Sequence, residues 1–198
     1  NGSLFSEYPV WTADNIKEFE QRFVQQYLAD DRKFYDKLQV QLAGAKKETI
    51  YLAAEMLWVM YLFPMRLMSA ATKRADIQRV LGWSGEQISD NHDLLKAPLE
   101  NGVGNPGTAY NTHRYREVTY FINLLLKWSQ FDSITKKKHL DDPWAFGVWI
   151  DSLTDSQNRL LRHILVFLLF PDYYERIASR KHKKKIIDSF SQETHDYR

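Results

Sequence analysis

The sequence predicts an all-α fold, a single compact domain of about nine or ten helices with no sheet. Apolar residues recur at spacings of three and four, whereas the alternation of apolar and polar residues that marks strands is nearly absent. Aromatic residues make up 14% of the 198 residues, which is ample for a packed core and argues against a disordered chain. This length fits one domain and leaves little room for a second.

The first two predicted helices lie in the polar N-terminal part of the chain. The first spans about residues 14–28, with Asp14 as its N-terminal cap and an apolar stripe on one face. The second spans about residues 32–43 and ends at Gly44, a residue type that commonly follows the last turn of a helix.

The third predicted helix, residues 48–63, is apolar almost all round and is therefore expected at the centre of the fold, ending at Pro64. A shorter helix follows over about residues 71–81. Ser84 and Gln87 have the spacing of a capping box, which predicts that another short helix opens there.

Residues 97–111 are predicted to form a loop because Gly, Pro and Asn are concentrated there. Residues 102–107 spell G-x-G-x-x-G, but no strand precedes them, and Pro106 lacks the backbone N–H that a phosphate-binding loop needs. A structured turn is favoured over a nucleotide site. Pro106 and Gly107 are expected at the central positions of a type II turn.

The side chains that follow this turn are expected to make hydrogen bonds. Asn105, Tyr110 and Asn111 either hold the loop in one conformation or present their polar groups to a ligand. Asn111 or Thr112 is expected to cap a long helix that runs to about residue 131.

Two further helices are predicted from local start signals. Asp142 and Pro143 have the residue types preferred at the cap and at the first helical position. Thr154 and Gln157 have capping-box spacing and are expected to open an apolar helix that stops before Pro171.

The last predicted helix, residues 180–190, is capped by Ser179 and carries the strongest concentration of charge in the chain. Helical spacing places His182, Ile186 and Phe190 on its docked face. The basic run is either a solvated face or a surface that contacts phosphates, which a lysine run near residue 136 could extend. The residues expected to contact phosphates are Lys136, Lys137, Arg180, Lys181, Lys184 and Lys185.

Metal, cofactor and catalytic sites are not expected. The chain has no cysteine and no G-x-x-x-x-G-K-[ST] motif. His139, Asp141 and Asp142 form the one cluster with metal-ligand residue types, but Asp142 is better used as a helix cap. His163 is expected to be a hydrogen-bonded core histidine.

Glu55 lies in the middle of the apolar third helix, so its carboxylate needs a partner. A buried ion pair is favoured over a catalytic role, since no second carboxylate is placed to form an acid–base pair. The arginines considered as its partner are Arg66, Arg114, Arg116 and Arg162.

A cytoplasmic location is expected. The chain begins with no basic region followed by an apolar run, so no signal peptide is visible, and the absence of cysteine fits a reducing compartment. The most apolar stretch, residues 50–63, is too short to span a bilayer, and no membrane partner is expected.

Three segments, taken as a set, resemble one protein family. They are residues 102–112 (GVGNPGTAYNT), residues 142–146 (DPWAF) and residues 168–177 (LLFPDYYERI), the last running into Ser179, His182 and Lys183. The set is similar to the helical region ahead of the AAA+ motor in McrB-like ATPases, the nucleotide-hydrolysing subunits of modification-dependent restriction systems. The resemblance covers the second half of the chain, and the first half only by general helical pattern.

The resemblance implies a role in antiviral defence. It implies that residues 1–190 form an N-terminal domain and that residues 191–198 are a polar tail leading to a motor domain beyond Arg198. Several N-terminal regions of that family read DNA. The first hypothesis is therefore a non-catalytic module that binds DNA for the motor. The second is a protein-interaction or regulatory domain that packs on the motor or senses a protein partner, and a stand-alone enzyme is disfavoured.

Overall fold

A computed structural model of the chain describes residues 2–65, 67–86 and 92–190. Over these residues the fold is all-helical, as predicted, with eleven α-helices and no strand. The helices are α1 (Ala13–Glu20), α2 (Phe34–Gln41), α3 (Lys47–Tyr61), α4 (Ala70–Gly82), α5 (Ala97–Glu100), α6 (Thr108–Thr112), α7 (Arg114–Ser129), α8 (Ser133–Asp141), α9 (Pro143–Ser152), α10 (Leu161–Leu169) and α11 (Arg180–Phe190). The number exceeds the prediction because α5 and α6 form within the segment predicted to be a loop.

Two predicted features lie outside the described residues. They are the capping box completed by Gln87, with the short helix expected to follow it, and the polar tail, residues 191–198.

Helix α3 lies at the centre of the fold, as its apolar sequence predicts. Most of its residues are buried, and it packs against α1, α4 and α7. Tyr61, at its C-terminal end, donates a hydrogen bond to the carboxylate of Asp76 on α4 at 2.9 Å. Pro64 follows closely, as predicted.

The first helix begins and ends differently from the prediction. Thr12, not Asp14, is the cap, since its hydroxyl accepts an N–H of the first turn at 3.3 Å. Asp14 lies within that first turn, where its negative charge stabilises the helix by interacting favourably with the helix dipole. Helix α1 then passes into a π-helical turn that carries Phe23, whose ring lies 4.6 Å from that of Tyr115 on α7. A π-helical turn packed on α7 thus stands where the sequence predicts a continuous α-helix.

The start of α10 is fixed by a distant residue, so the predicted capping box is wrong. Thr154 and Gln157 are exposed and lie before the helix. The buried Glu117 of α7 accepts the backbone N–H of Leu161 at 2.9 Å and of Leu160 at 3.3 Å. Burial raises the pKa of Glu117 above its usual value. A tertiary contact with Glu117 thus caps α10 in place of the predicted local capping box.

The glycines of the 102–107 motif allow two backbone segments to approach closely. Gly104 donates its N–H to the carbonyl of Phe63 at 2.9 Å and accepts the N–H of Met65 at 2.9 Å. Gly102 has φ +51°, and a Cβ there would overlap the carbonyl of Pro64. The motif therefore has a packing function, in agreement with the structured turn that the sequence predicts.

The turn itself is not of type II. Gly107 has the expected positive φ of 85°, but its ψ of 163° is far from the value near zero that a type II turn requires. The side chain of Asn105 accepts the N–H of Gly107 at 2.9 Å, which confirms the hydrogen-bonding role predicted for Asn105. A side-chain turn replaces the backbone turn because the asparagine offers a competing acceptor.

Tyr110 and Asn111 lie in α6. Tyr110 is buried and donates to the carbonyl of Met60 at 3.2 Å, so it holds the loop against α3 and cannot face a ligand. Neither Asn111 nor Thr112 caps the long helix, because both belong to α6 and α7 begins after His113 without a side-chain cap.

Glu55 is fully buried, but its partners differ from the prediction. Its carboxylate accepts hydrogen bonds from the hydroxyl of Ser3, from the N–H of Leu4 at 2.9 Å and from the indole N–H of Trp11 at 2.5 Å. Neutral donors of the N-terminal segment therefore satisfy the carboxylate and hold that segment on α3.

The arginines considered as partners of Glu55 lie elsewhere. Arg114 and Arg162 form ion pairs with aspartates, and Arg116 is exposed. Arg66 lies outside the described residues. The predicted ion pair is therefore wrong for the three arginines that the structure describes.

Replacing Gly102 with alanine is expected to destabilise the fold by about 3 kcal/mol, since strain at positive φ adds to overlap with the Pro64 carbonyl. Gly44 is the matched control, because its φ is +72° but nothing lies near a Cβ there. Gly44→Ala is expected to cost about 1 kcal/mol. Urea unfolding of both variants measures the difference, and equal losses would contradict the packing role of Gly102.

Candidate functional site

The outer face of α11 carries the predicted basic surface. Lys181, Lys184 and Lys185 are exposed, as predicted. Arg180 begins the helix, and its side chain lies outside the described part of the structure. The hydroxyl of Ser179 accepts an N–H of the first turn at 3.4 Å, in agreement with its predicted role as the cap.

The inner face of α11 differs from the prediction by one residue. His182, Ile186 and Phe190 were expected to dock, but all three are exposed, Phe190 to 88%. Lys183 is turned inward instead, and its Nζ lies 2.8 Å from Nδ1 of His163 on α10. This partly buried polar contact accompanies an orientation of the helix that differs from the one its apolar residues favour.

Lys136 and Lys137 lie within α8. Lys137 is exposed and pairs with Asp141 at 2.7 Å. Lys136 is half-buried and borders a cavity shared with Trp11 of the N-terminal segment and Trp128 of α7. Helix α8 packs against α9, whereas Lys183 of α11 contacts α10. The contacts of the two lysine runs therefore involve different helices.

A cavity of about 220 Å³ lies where α9, α10 and α11 meet, and we call it the Arg162 cavity. A second cavity of about 180 Å³ adjoins it and extends between α10 and α11. The Arg162 cavity is lined by Trp144, Gly147, Val148, Asp151, Arg162, His163, Val166, Tyr174 and Lys183.

The charged groups of this cavity are the cations of Arg162 and Lys183 and the carboxylate of Asp151. The side chain of Arg162 has no exposed surface, and its Nη1 donates to Asp151 at 2.5 Å. Its Nε and Nη2 have no hydrogen-bond partner in the described part of the chain. A lysine ammonium only donates, so Lys183 donates to Nδ1 of His163, which places the ring proton on Nε2. His163 is thus a hydrogen-bonded, buried histidine, as predicted.

Aromatic and apolar side chains lie at the solvent side of the cavity. Trp144 is 63% exposed, and Val148, one turn later on α9, is 72% exposed. Tyr174 donates to the carbonyl of Pro143 at 2.7 Å, and its ring lies 5.3 Å from that of Trp144. Its hydroxyl occupies the space that a side chain at Gly147 would need.

We use the name α9–α11 face for the exposed side chains of Trp144 and Val148 on α9 together with those of Lys181, Lys184 and Lys185 on the outer side of α11. Sequence reasoning identified its lysines but missed Trp144 and Arg162. Trp144 and Val148 are four residues apart on the predicted helix, and this spacing could have indicated that they share one exposed face of α9.

Two of the residues with metal-ligand side chains around His139 make capping and packing contacts. Asp142 caps α9, accepting the N–H groups of Trp144 and Ala145 at 3.0 Å each. The His139 ring stacks on that of Phe131 at 5.3 Å. Across residues 2–65, 67–86 and 92–190, no group of three or more His, Cys, Asp or Glu residues is placed to hold a metal ion.

The stability of the fold is expected to rise between about pH 8 and pH 10.5 through Lys183. Burial and the nearby charge of Arg162 together lower the pKa of Lys183 from 10.5 to about 8, with Asp151 opposing them. His163 and Glu175 also lie beside Lys183. The unfolded chain therefore binds this proton more strongly than the native state in that range. Urea unfolding of the wild type and Lys183→Met across the range should show the rise only in the wild type, and parallel profiles would contradict it.

Within the described ranges, no helix has both the length and the apolar character needed to cross a bilayer. Comparisons with protein-family models, with curated proteins and with solved structures find no match to this chain.

Proposed function

We propose that this chain is a non-catalytic recognition module that binds nucleic acid across the α9–α11 face. The observation that carries the proposal is that α11 exposes three lysines, Lys181, Lys184 and Lys185, on its outer side. The same helix borders, through Lys183, the cavity that the exposed Trp144 also lines. Lysines supply attraction to phosphates, and an exposed indole offers a surface on which a base can stack.

This combination favours a single strand over a duplex. A duplex hides the faces of its bases, whereas a single strand can stack them on aromatic side chains while its phosphates meet nearby cations. The lysine contacts carry no sequence information, so any preference for a modified base would come from the surroundings of Trp144.

The resemblance to McrB-like ATPases extends this proposal to a biological setting. The module would choose the target for an AAA+ motor in the same cytoplasmic chain, and the motor would supply the nucleotide hydrolysis. Sequencing the gene beyond the codon for Arg198 tests this part of the proposal. A Walker A motif there would support it, and a stop codon there would contradict it.

Fluorescence anisotropy tests the binding itself. Labelled single-stranded DNA, single-stranded RNA, and duplexes with and without modified bases are titrated with the protein at low salt. We expect single strands to bind most tightly and to lose about twentyfold in affinity between roughly 50 and 200 mM salt, as three phosphate contacts predict. The absence of binding to all of them at roughly tens of micromolar protein would overturn the proposal, since even non-specific binding reaches this range.

A protein-interaction domain is the second candidate, and the exposed apolar side chains favour it. Trp144, Val148, Ile186 and Phe190 are 63%, 72%, 44% and 88% exposed. Large exposed apolar side chains are typical of docking surfaces when they form one patch. Co-purification with the segment that follows residue 198 in the natural protein, retained at high salt and lost on Trp144→Ser with Val148→Ser, would support this candidate.

A further inference from the structure

We propose that the Arg162 cavity is a binding site for a phosphate group, with Arg162 and Lys183 as the residues that hold it. The inference rests on the proposed function for the source of the phosphate, which would be a nucleic-acid strand. The site itself is argued from the chemistry of the cavity alone.

The guanidinium of Arg162 is only partly satisfied. Its side chain is fully buried, Asp151 takes Nη1, and Nε and Nη2 find no partner among the described residues. These two nitrogens form one edge of the guanidinium, the arrangement that donates two parallel hydrogen bonds to an oxyanion. Unpaired buried donors are costly, and a ligand that supplies acceptors removes that cost.

Lys183 adds a second cation to the same cavity. It is half-buried, and its contact with Nδ1 of His163 fixes the position of its ammonium group. The cavity lining contains two cations, Arg162 and Lys183, and one carboxylate, Asp151, which is already paired. Glu175 borders the adjoining cavity and is exposed to solvent, which screens its charge. The balance of charge therefore favours an anion.

The size of the cavity and its surroundings favour phosphate over a carboxylate. A volume of about 220 Å³ holds several water molecules at about 30 Å³ each, so a phosphate group fits. Phosphate has enough oxygens to accept hydrogen bonds from the edge of Arg162 and from Lys183 together. A carboxylate has only two oxygens, which the edge of Arg162 alone would occupy. Trp144, at the solvent side, lies where the base of the same nucleotide can stack.

Titration of the whole chain with inorganic phosphate near pH 7, followed by NMR, tests the site. We expect shifts of the Arg162 Nε–H and Trp144 indole N–H signals. Lys183→Gln should weaken binding about tenfold, as expected for losing a hydrogen bond between charged groups. Asp151→Asn should tighten it, because the one carboxylate is removed. Lys33→Gln, at an exposed lysine just before α2, is the matched control and should leave binding unchanged.

Two results would overturn the phosphate site. One is the absence of any shift at Arg162 up to roughly 20 mM phosphate, well above the millimolar range expected for a small anion. The other is equal binding by Lys183→Gln and Lys33→Gln. The thermal unfolding transition of each variant shows whether it is folded. Asp151→Asn adds a second check, because loss of structure cannot produce the tighter phosphate binding that we expect of it.

Oligonucleotides identify the source of the phosphate. If a short strand with a 5′-phosphate binds more tightly than its 5′-hydroxyl form, and Lys183→Gln removes the difference, the cavity takes a terminal phosphate. If the two strands bind alike and both compete with inorganic phosphate, it takes a backbone phosphate. Phosphate binding without strand binding supports the cavity but overturns the nucleic-acid function, whereas strand binding without phosphate shifts overturns only the cavity.

Discussion

Replacing Lys181, Lys184 and Lys185 together with glutamate is expected to weaken binding of single-stranded DNA about a hundredfold or more at low salt. Each lysine lost removes one phosphate contact and its released counterion, and each glutamate adds repulsion. The salt dependence should flatten at the same time, because fewer counterions are released. Anisotropy titrations at several salt concentrations measure both effects.

A matched variant separates this local effect from net charge. Lys17, Lys33 and Lys46 are also exposed but lie in the N-terminal part of the chain. Lys17 lies in α1, Lys33 directly precedes α2 and Lys46 directly precedes α3. Their replacement by glutamate changes the net charge equally and should weaken binding only slightly. Similar losses in the two triple variants would mean that binding follows overall charge and that the α9–α11 face has no special role.

Glu55→Leu is expected to destabilise the fold by about 3 kcal/mol. The carboxylate holds the N-terminal segment through Ser3, Leu4 and Trp11, and its loss leaves their donors unpaired against an apolar helix. Glu55→Gln keeps an acceptor and should cost less. Urea unfolding gives both free energies, and hydrogen exchange of the Leu4 amide should speed up in the leucine variant.

A neutral Glu55→Leu variant would contradict this account. It would mean that the cost of burying the carboxylate cancels the energy of its hydrogen bonds. Ser3→Ala is the milder comparison, because it removes one donor and leaves the carboxylate with Leu4 and Trp11.

The sequence predicts the features of this fold that depend on nearby residues. Periodicity identifies the helices, and the cap formed by Asp142 and Pro143 appears as expected, since a cap lies within three residues of the groups it satisfies. The central position of α3 follows from its apolar surface. Gly44 ends its helix region at φ +72°, as its residue type indicates.

The features that sequence reasoning missed depend on partners far along the chain. Glu117 caps α10 from α7, and the contact between Lys183 and His163 orients α11 against its own apolar pattern. Spacing along one helix cannot indicate which distant side chain will meet it. For the same reason Arg162 gave no sign of being a site residue, because its unpaired edge exists only once α9, α10 and α11 are packed.

The position of a bound strand on the protein is the most direct measurement of the central claim. A short single strand with one photoreactive 5-iodouracil is crosslinked to the whole chain, and the adduct is located by mass spectrometry. Stacking on the α9–α11 face predicts a crosslink to Trp144, 63% exposed, that is lost when Lys181, Lys184 and Lys185 are reversed in charge. Crosslinks to Tyr27, an exposed aromatic elsewhere in the chain at 55%, with none in α9 or α11, would contradict the claim.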